Sequence, residues 1–185
     1  MEKAKERAGE IEILSVEQTE QLLESATGET LLYWVIGAFA GLRVAEIKRL
    51  SWEEVDFERG FIEVKVAKAK TGSRRHVHIQ PNLAEWLAPY RGARGSVCPM
   101  GLRKRLDADR ERAGLLDNWP QNALRHSFGS YHLARFPDAA ALALQMGNSP
   151  AMIFKHYREL VKPKDAERYW NIRPEKVANV VPLIA

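Results

Sequence analysis

Cysteine is nearly absent from this 185-residue sequence, in which Cys98 is the single example. One thiol excludes an internal disulfide and is typical of a protein from a reducing compartment. Long apolar runs are also missing, because the most apolar stretch, residues 31–42, is too short to cross a bilayer. Residues 1–12 are charged and lack the apolar core of a signal peptide. We therefore expect a cytoplasmic protein with no membrane partner.

Acidic residues are missing from one segment, residues 65–75, although the net charge of the whole protein is only +4. A local positive field of this kind suits a polyanionic partner better than the small net charge implies. By itself, such a cluster is equally typical of an ordinary solvated surface. The positive side chains of the segment are Lys65, Lys68, Lys70, Arg74 and Arg75.

The apolar content, 45%, is enough for one substantial core, and nothing in the chain indicates a second core of comparable size. We predict one α+β domain that is mainly helical. Ser15 and Gln18 have the spacing of a capping box and predict a helix over residues 16–25. A helix over residues 29–40 is apolar on nearly every face and ends at Gly41. Further helices are predicted over residues 43–50, 81–90, 100–113, 122–135, 138–146, 150–160 and 165–171.

A small antiparallel sheet is predicted near residues 52–79, where β-forming residues replace the helical pattern. The sequence turns at Arg59-Gly60 between the first two strands. Lys70 lies in the connection between the last two strands, a place from which a loop can bring a lysine to a ligand.

Four motifs carry side chains suited to phosphodiester chemistry. Arginine neutralises charge on phosphate oxygens well, because its planar guanidinium donates two hydrogen bonds and stays protonated. A lone arginine or tyrosine in a helical protein is more often a surface or packing residue, so the interpretation depends on the whole set. The four are Arg43 in GLRVAEIKRL, Lys70 in AKTGSRR, Arg125 in NALRHSF and Tyr157 in IFKHYR.

In this order the motifs resemble the catalytic domain of the tyrosine recombinases, or phage-type integrases, from about residue 14 to residue 160. GLR followed by the acid Glu46 is similar to the first arginine box of that family, and LRHSF to the second. The family places a Gly-His-Ser turn before the tyrosine, at the interval that separates residues 147–149 from Tyr157. The resemblance implies the fold of that domain, and site-specific DNA cleavage and rejoining through a 3′-phosphotyrosyl bond.

The resemblance also implies a role for each motif residue. Tyr157 is the expected nucleophile, and Arg43 and Arg125 are expected to bind the reacting phosphate. Lys70 would protonate the 5′ oxygen as it leaves, because an alkoxide is a poor leaving group. Lys68 remains an alternative to Lys70.

Glu46 is implied to orient an arginine or another group of the site rather than to react. An ordinary ion pair with Arg43, three residues away in the same helix, is compatible with that role. No cofactor is expected, and His76, His78 and His132 do not form a convincing metal site. Further DNA contacts are expected from Lys68, Arg74 and Arg75.

Two positions depart from the family pattern, because Asn122 and Asn148 stand where family members usually have histidine. Asparagine can donate a hydrogen bond to a phosphate oxygen, so both remain in the predicted site, but it cannot accept and return a proton. Loss of a histidine that assists the tyrosine would slow the reaction by about 10²- to 10⁴-fold. We interpret His126 and His156, which lie beside these motif positions, as packing or surface residues. The alternative is that one of them compensates for the missing histidines.

Recombinases of this family normally have a helical DNA-binding domain ahead of the catalytic one, and this chain begins close to where the catalytic domain would begin. We expect an arm or linker over residues 1–13, the catalytic domain over residues 14–172 and a tail over residues 173–185. The apolar tail is expected to dock in cis or to pass to a neighbouring subunit. The expected partners are double-stranded DNA and further copies of the chain, on the nucleoid.

Two other functions are consistent with the same residues. A catalytically weak or inactive DNA-binding relic or regulator of the same fold is favoured by Asn122 and Asn148. A DNA-relaxing enzyme similar to type IB topoisomerases would use the same chemistry with little choice of sequence.

Overall fold

The computed structural model of the protein describes residues 11–65, 74–157 and 160–174. These ranges contain nine helices and one three-stranded sheet, as expected of a mainly helical α+β fold. The helices are α1 Val16–Ser25, α2 Gly28–Ala40, α3 Val44–Ile47, α4 Pro81–Leu87, α5 Arg103–Arg112, α6 Ala123–Arg135, α7 Ala139–Met146, α8 Pro150–Tyr157 and α9 Pro163–Trp170. The strands are β1 Val55–Asp56, β2 Phe61–Val64 and β3 Arg75–His78, and short 3₁₀ turns cover Trp52–Glu54 and Ala88–Tyr90.

Helix α2 forms the centre of the hydrophobic core. Every residue from Thr30 to Ala40 is buried, as expected of a helix with apolar side chains on nearly every face. Helices α1, α4 and α6 pack around it. The contact with α6 is close at Gly37, where a Cβ atom would lie 2.4 Å from the Leu124 Cδ1 atom. A larger residue at this position would therefore force the Leu124 side chain to move.

The three strands form an antiparallel sheet in the order β1, β2, β3. Ile62 pairs with Val55 on one side and with Val77 on the other. These three residues are buried and alternate with more exposed ones along the strands, as expected of a sheet with one face on the core. Strand β3 also contacts α7. Lys68 and Lys70 belong to the connection from β2 to β3 and lie outside the described residues.

The predicted capping box at the start of α1 is confirmed. The Gln18 amide donates to the Ser15 hydroxyl over 3.1 Å, and the Ser15 amide donates to the Gln18 side chain over 2.8 Å. The helix covers the predicted residues 16–25. These contacts are local, which is why the sequence alone predicts them well.

Helices α3 and α5 differ from the predicted bounds. Helix α3 ends at Ile47 rather than near Leu50. The Arg49 and Leu50 amides donate to carbonyls three residues back instead of four, and the chain is extended at Ser51. Helix α5 begins at Arg103 rather than near residue 100. Gly101 precedes it with a φ of 74°, a left-handed conformation that a continuous helix does not contain.

The described ranges share one hydrophobic core. The predicted arm over residues 1–13 and tail over residues 173–185 fall largely outside these ranges, so both segments and the domain boundaries stay predictions. No helix in the described part of the chain is long and apolar enough to cross a membrane.

Replacing Gly41 by alanine should destabilise the fold, because Gly41 ends α2 with a φ of 60° and an added Cβ would lie 2.3 Å from the Phe128 Cδ1 atom. The left-handed backbone should cost about 1–2 kcal/mol, and the overlap about 1–3 kcal/mol more. Gly60→Ala is the matched control, since Gly60 has a φ of 72° and nothing within 4 Å of an added Cβ. Urea unfolding should show the larger loss for Gly41→Ala. Equal losses would contradict the importance of the Phe128 contact.

Candidate active site

An open cleft of about 610 Å³ lies where the start of α3, the start of α6, the turn between α7 and α8, and α8 meet. Five of the predicted site residues line it, although they come from distant parts of the sequence: Arg43, Asn122, Arg125, Asn148 and Tyr157. The remaining lining residues are Ile11, Val44, Ala45, His126, Met152 and His156. We refer to this set of residues as the cleft.

Arg125 lies at the floor of the cleft with only 8% of its surface exposed. Its guanidinium donates to the Gly41 carbonyl over 2.8 Å and also to the Met146 carbonyl. These carbonyls are at the C-terminal ends of α2 and α7, where the helix dipoles favour a positive charge. Burial, followed by the charge of Arg43, lowers the pKa of Arg125, but a guanidinium remains protonated at neutral pH. The cleft therefore has a fixed positive charge at its floor.

Arg43 is held at the edge of the cleft by Glu46. The Glu46 carboxylate accepts hydrogen bonds from the Arg43 amide over 2.7 Å and from its guanidinium over 3.0 Å. The Arg43 guanidinium also donates to the Gly147 carbonyl over 3.2 Å. The Arg43 side chain keeps 45% of its surface exposed. A partly exposed guanidinium that is fixed on its inner side can still bind an anion from solvent.

Arg75 differs from the expectation of a DNA-contacting side chain. Its guanidinium makes a bidentate pair with Glu46, over 2.9 and 2.7 Å, and donates to the Gln145 carbonyl over 2.7 Å. Only 11% of the side chain is exposed. The structure therefore gives Arg75 an internal role, in which it joins β3 to Glu46 and to the end of α7. Arg74, with 64% of its side chain exposed beside Glu63, stays a predicted DNA contact.

Tyr157 is buried, with 4% of its surface exposed, at the last residue of α8. Gly129 on α6 makes room for its ring, because an added Cβ would lie 3.0 Å from the Tyr157 Cε1 atom. Burial raises the pKa of Tyr157, and the charges of Arg125 and Arg43 oppose that rise. The two arginines therefore stabilise the tyrosinate relative to the neutral phenol.

His126 lines the cleft, although the sequence interpretation favoured a packing or surface role for it. Its Nδ1 atom lies 3.0 Å from the hydroxyl oxygen of Tyr157. Burial and the charges of Arg125 and His156 lower the pKa of His126, so its neutral form predominates at neutral pH. One signal was available in the sequence, because residues 122 and 126 are four apart in the predicted helix over residues 122–135 and such residues share a face of a helix.

Asn122 and Asn148 both line the cleft, in different backbone settings. Asn122 precedes α6 with a φ of 55°, a left-handed conformation that asparagine adopts more readily than most residues. Asn148 follows the left-handed Gly147 at the end of α7, and its side-chain oxygen accepts from Arg125 over 3.3 Å. Each amide has donors suited to a phosphate oxygen, but neither can transfer a proton.

Comparison with known proteins identifies the group to which this arrangement is related. The model of a family described as the phage integrase family matches residues 12–162. The prophage integrase IntR of Escherichia coli (strain K12) is 25% identical over 191 aligned residues, which cover 78% of this chain and 46% of IntR. This chain therefore spans about half the length of that relative.

Solved structures of recombinases share the fold. XerA recombinase superposes with a TM-score of 0.66 at 20% identity, covering 90% of this chain and 65% of the XerA chain. The XerH site-specific recombinase, in a post-cleavage complex with its palindromic difH substrate, gives a TM-score of 0.57 at 20% identity and covers 90% of this chain and 55% of XerH. The predicted fold of a tyrosine-recombinase catalytic domain is thereby confirmed.

Replacing Glu46 by glutamine should remove a pH-dependent part of the stability. Burial opposes ionisation of Glu46, but hydrogen bonds from Arg75 and the Arg43 amide outweigh it and lower its pKa from 4.5 to about 2. Because the folded-state pKa is the lower one, this contribution is present above pH 4.5 and is lost as the pH falls towards 2. At neutral pH it amounts to at most about 3 kcal/mol.

Urea unfolding of the wild type and of Glu46→Gln between pH 2 and pH 7 measures this contribution. The difference in unfolding free energy should shrink as the pH falls from 4.5 to 2. Glu63→Gln is the control, because Glu63 pairs with the exposed Arg74 and such surface pairs contribute only about 0–1 kcal/mol. If the difference in unfolding free energy between the wild type and Glu46→Gln does not change with pH, the ionised carboxylate of Glu46 does not stabilise the fold.

Proposed function

The chain belongs to the phage integrase family, and on this premise we propose that it is the catalytic domain of a site-specific DNA recombinase. It cleaves and rejoins DNA through a 3′-phosphotyrosyl intermediate. The observation that carries this proposal is the meeting of Arg43, Arg125 and Tyr157 in one cleft. Two guanidinium groups and a tyrosine hydroxyl at one place are suited to a phosphodiester, which is negative and reacts at phosphorus.

In the proposed reaction the Tyr157 hydroxyl oxygen attacks the scissile phosphorus. A bond between that oxygen and phosphorus forms as the bond from phosphorus to the 5′ oxygen breaks, which leaves a 3′-phosphotyrosyl protein and a free 5′ hydroxyl. Arg43 and Arg125 neutralise the charge that develops on the non-bridging oxygens. Rejoining reverses these steps with a 5′ hydroxyl as the nucleophile, so the bond energy is conserved without ATP.

Lys70 is proposed as the donor of the proton that the leaving 5′ oxygen requires. It lies five residues before Arg75 in the sequence, and five residues of extended chain reach about 17 Å. Arg75 is held beside the cleft by Glu46, so a lysine at position 70 is within reach of a phosphate bound there. Lys68 is the alternative donor and is otherwise proposed to contact the DNA backbone together with Arg74.

Double-stranded DNA is the proposed substrate. XerH, a site-specific recombinase that shares the fold, is bound to its palindromic difH substrate in its solved complex. The chain is basic, with a net charge of +4 and an isoelectric point of about 9.2, which suits a polyanion. We further propose that copies of the chain assemble on DNA through the tail over residues 173–185, and that the bound protein is associated with the nucleoid.

A DNA-binding relic or regulator of the same fold is the second candidate function. It is favoured by Asn122 and Asn148, because neither amide can transfer a proton. Such a protein would bind a duplex and form no covalent bond with it. A nicked suicide substrate, tested over a library of candidate sites, traps the covalent adduct and separates the two functions. Strand exchange between two marked duplexes then separates recombination from simple DNA relaxation.

Replacing Tyr157 by phenylalanine should abolish the covalent adduct and leave DNA affinity nearly unchanged, because only the attacking oxygen is removed. Adduct formation on a nicked substrate and a binding titration on an intact duplex measure the two effects. Tyr90→Phe is the matched control, since Tyr90 does not line the cleft. An adduct that persists in Tyr157→Phe would eliminate Tyr157 as the nucleophile.

Replacing Lys70 by alanine should block cleavage of a normal duplex and allow cleavage of a duplex with a 5′-bridging phosphorothiolate. A thiolate leaves without needing a proton, so the modified substrate does not require the acid. Single-turnover cleavage of both substrates is the measurement. Lys68→Ala is the control and should cleave both at similar rates. If Lys68→Ala shows the block and the rescue instead, Lys68 is the proton donor.

A further inference from the structure

Attack by Tyr157 releases a proton, and the cleft has few groups that can accept it. The amides of Asn122 and Asn148 cannot. Glu46 is unsuitable, because its carboxylate already accepts two hydrogen bonds from Arg43 and two from Arg75. Among the described residues that line the cleft, the remaining bases are the imidazole rings of two histidines, His126 and His156.

His126 is the histidine that contacts the nucleophile. Its Nδ1 atom lies 3.0 Å from the Tyr157 hydroxyl oxygen, and the two ring centroids are 5.8 Å apart. The distance is within the range for proton transfer to a positioned base. We propose that His126 accepts the proton of the Tyr157 hydroxyl during cleavage and returns it during rejoining. This inference rests on the function proposed above.

The packing of α6 against α8 holds the pair together. His126 lies in the first turns of α6 and Tyr157 at the end of α8. Between these helices, Gly129 leaves space for the Tyr157 ring, because any Cβ at that position would lie 3.0 Å from it. Tyr157 is buried and His126 is half-buried. The contact is therefore part of the folded domain rather than a chance meeting of two surface side chains.

The surrounding charges act on both groups of the pair. Three positive or titratable groups face the pair, namely Arg125 on α6, His156 on α8 and Arg43 before α3. Burial, Arg125 and His156 lower the pKa of His126, so its ring is neutral at neutral pH and its Nδ1 can accept. Arg125 and Arg43 favour the ionised form of Tyr157. The same charges therefore keep the base free of a proton and stabilise the nucleophile.

The proton balance of both steps can be written with these groups. In cleavage, the Tyr157 proton moves to His126 Nδ1 as the bond from its oxygen to phosphorus forms. The bond from phosphorus to the 5′ oxygen breaks, and Lys70 supplies the proton for the resulting 5′ hydroxyl. In rejoining, the attacking 5′ hydroxyl gives its proton to neutral Lys70, and the His126 imidazolium returns its proton to the departing Tyr157 oxygen. The protein ends in its starting protonation state.

Two substitutions at His126 test the inference in the full chain. His126→Ala and His126→Gln should each slow single-turnover adduct formation on the nicked substrate by about 10²- to 10⁴-fold. Glutamine can keep a hydrogen bond to the Tyr157 hydroxyl but cannot take its proton. A purely structural contact would therefore be rescued by glutamine. A wild-type rate in His126→Gln would therefore overturn the proposal. Added imidazole should restore part of the rate of His126→Ala, because it can replace the missing base.

The pH profile gives a second measurement that a structural role would not change. The wild-type rate should fall in acid as His126 becomes protonated, at a pH below the ordinary pKa of 6.5, and His126→Gln should lack this acid limb. The difference in rate between the wild type and His126→Gln should become smaller at high pH, because the tyrosine ionises there without a base. An acid limb that is the same in both proteins would overturn the assignment.

Failure of this inference can be distinguished from failure of the proposed function. No adduct with wild-type protein on any candidate site would overturn both, because the inference rests on that function. An adduct formed equally fast by the wild type and by His126→Gln would remove only the role of His126. If His156→Ala instead slows adduct formation and added imidazole restores the rate, His156 is the group that accepts the proton. His78→Ala, an exposed position outside the cleft, is the control and should match the wild type.

Discussion

The burial of Arg125 is the constraint on which the rest of the site depends. A buried guanidinium is costly unless its donors are satisfied, and here the Gly41 and Met146 carbonyls satisfy them. Because those carbonyls end α2 and α7, one side chain on α6 fixes the relative positions of three helices. The Arg125 guanidinium therefore has two roles. It supplies the positive charge that the proposed reaction requires at the floor of the cleft, and its hydrogen bonds hold the three helices together.

A second set of contacts extends this arrangement to the sheet. Glu46 binds Arg43 on one side and Arg75 on the other, and Arg75 also binds the Gln145 carbonyl at the end of α7. The carboxylate therefore joins the edge of the cleft to the first residue of β3, which follows the connection containing Lys70. Glu46 need not touch the substrate to matter, because it sets where one arginine of the proposed site is held and where that connection ends.

The proposed proton acceptor is a histidine, as in the family pattern, but it stands at a different position in the sequence. Asn122 and Asn148 keep donors for a phosphate but lose the ability to transfer a proton. His126 lies one helical turn after Asn122, and its ring contacts the Tyr157 hydroxyl. A group that can accept a proton is therefore still present, four residues after Asn122 and inside α6.

The sequence by itself determined the parts of this protein that depend on neighbours in the chain. The capping box of α1, the buried helix α2, the alternation along the strands and the pair of Arg43 with Glu46 are all local, and the motifs identified the family. Only the tertiary structure decided the pair of Arg75 with Glu46 and the contact of His126 with Tyr157, which join residues 29 and 31 positions apart. A basic run is typical of a solvated surface and a histidine beside a motif is typical of packing. Whether either side chain turns inward depends on how β3 packs on α7 and α6 on α8, and no local pattern records that packing.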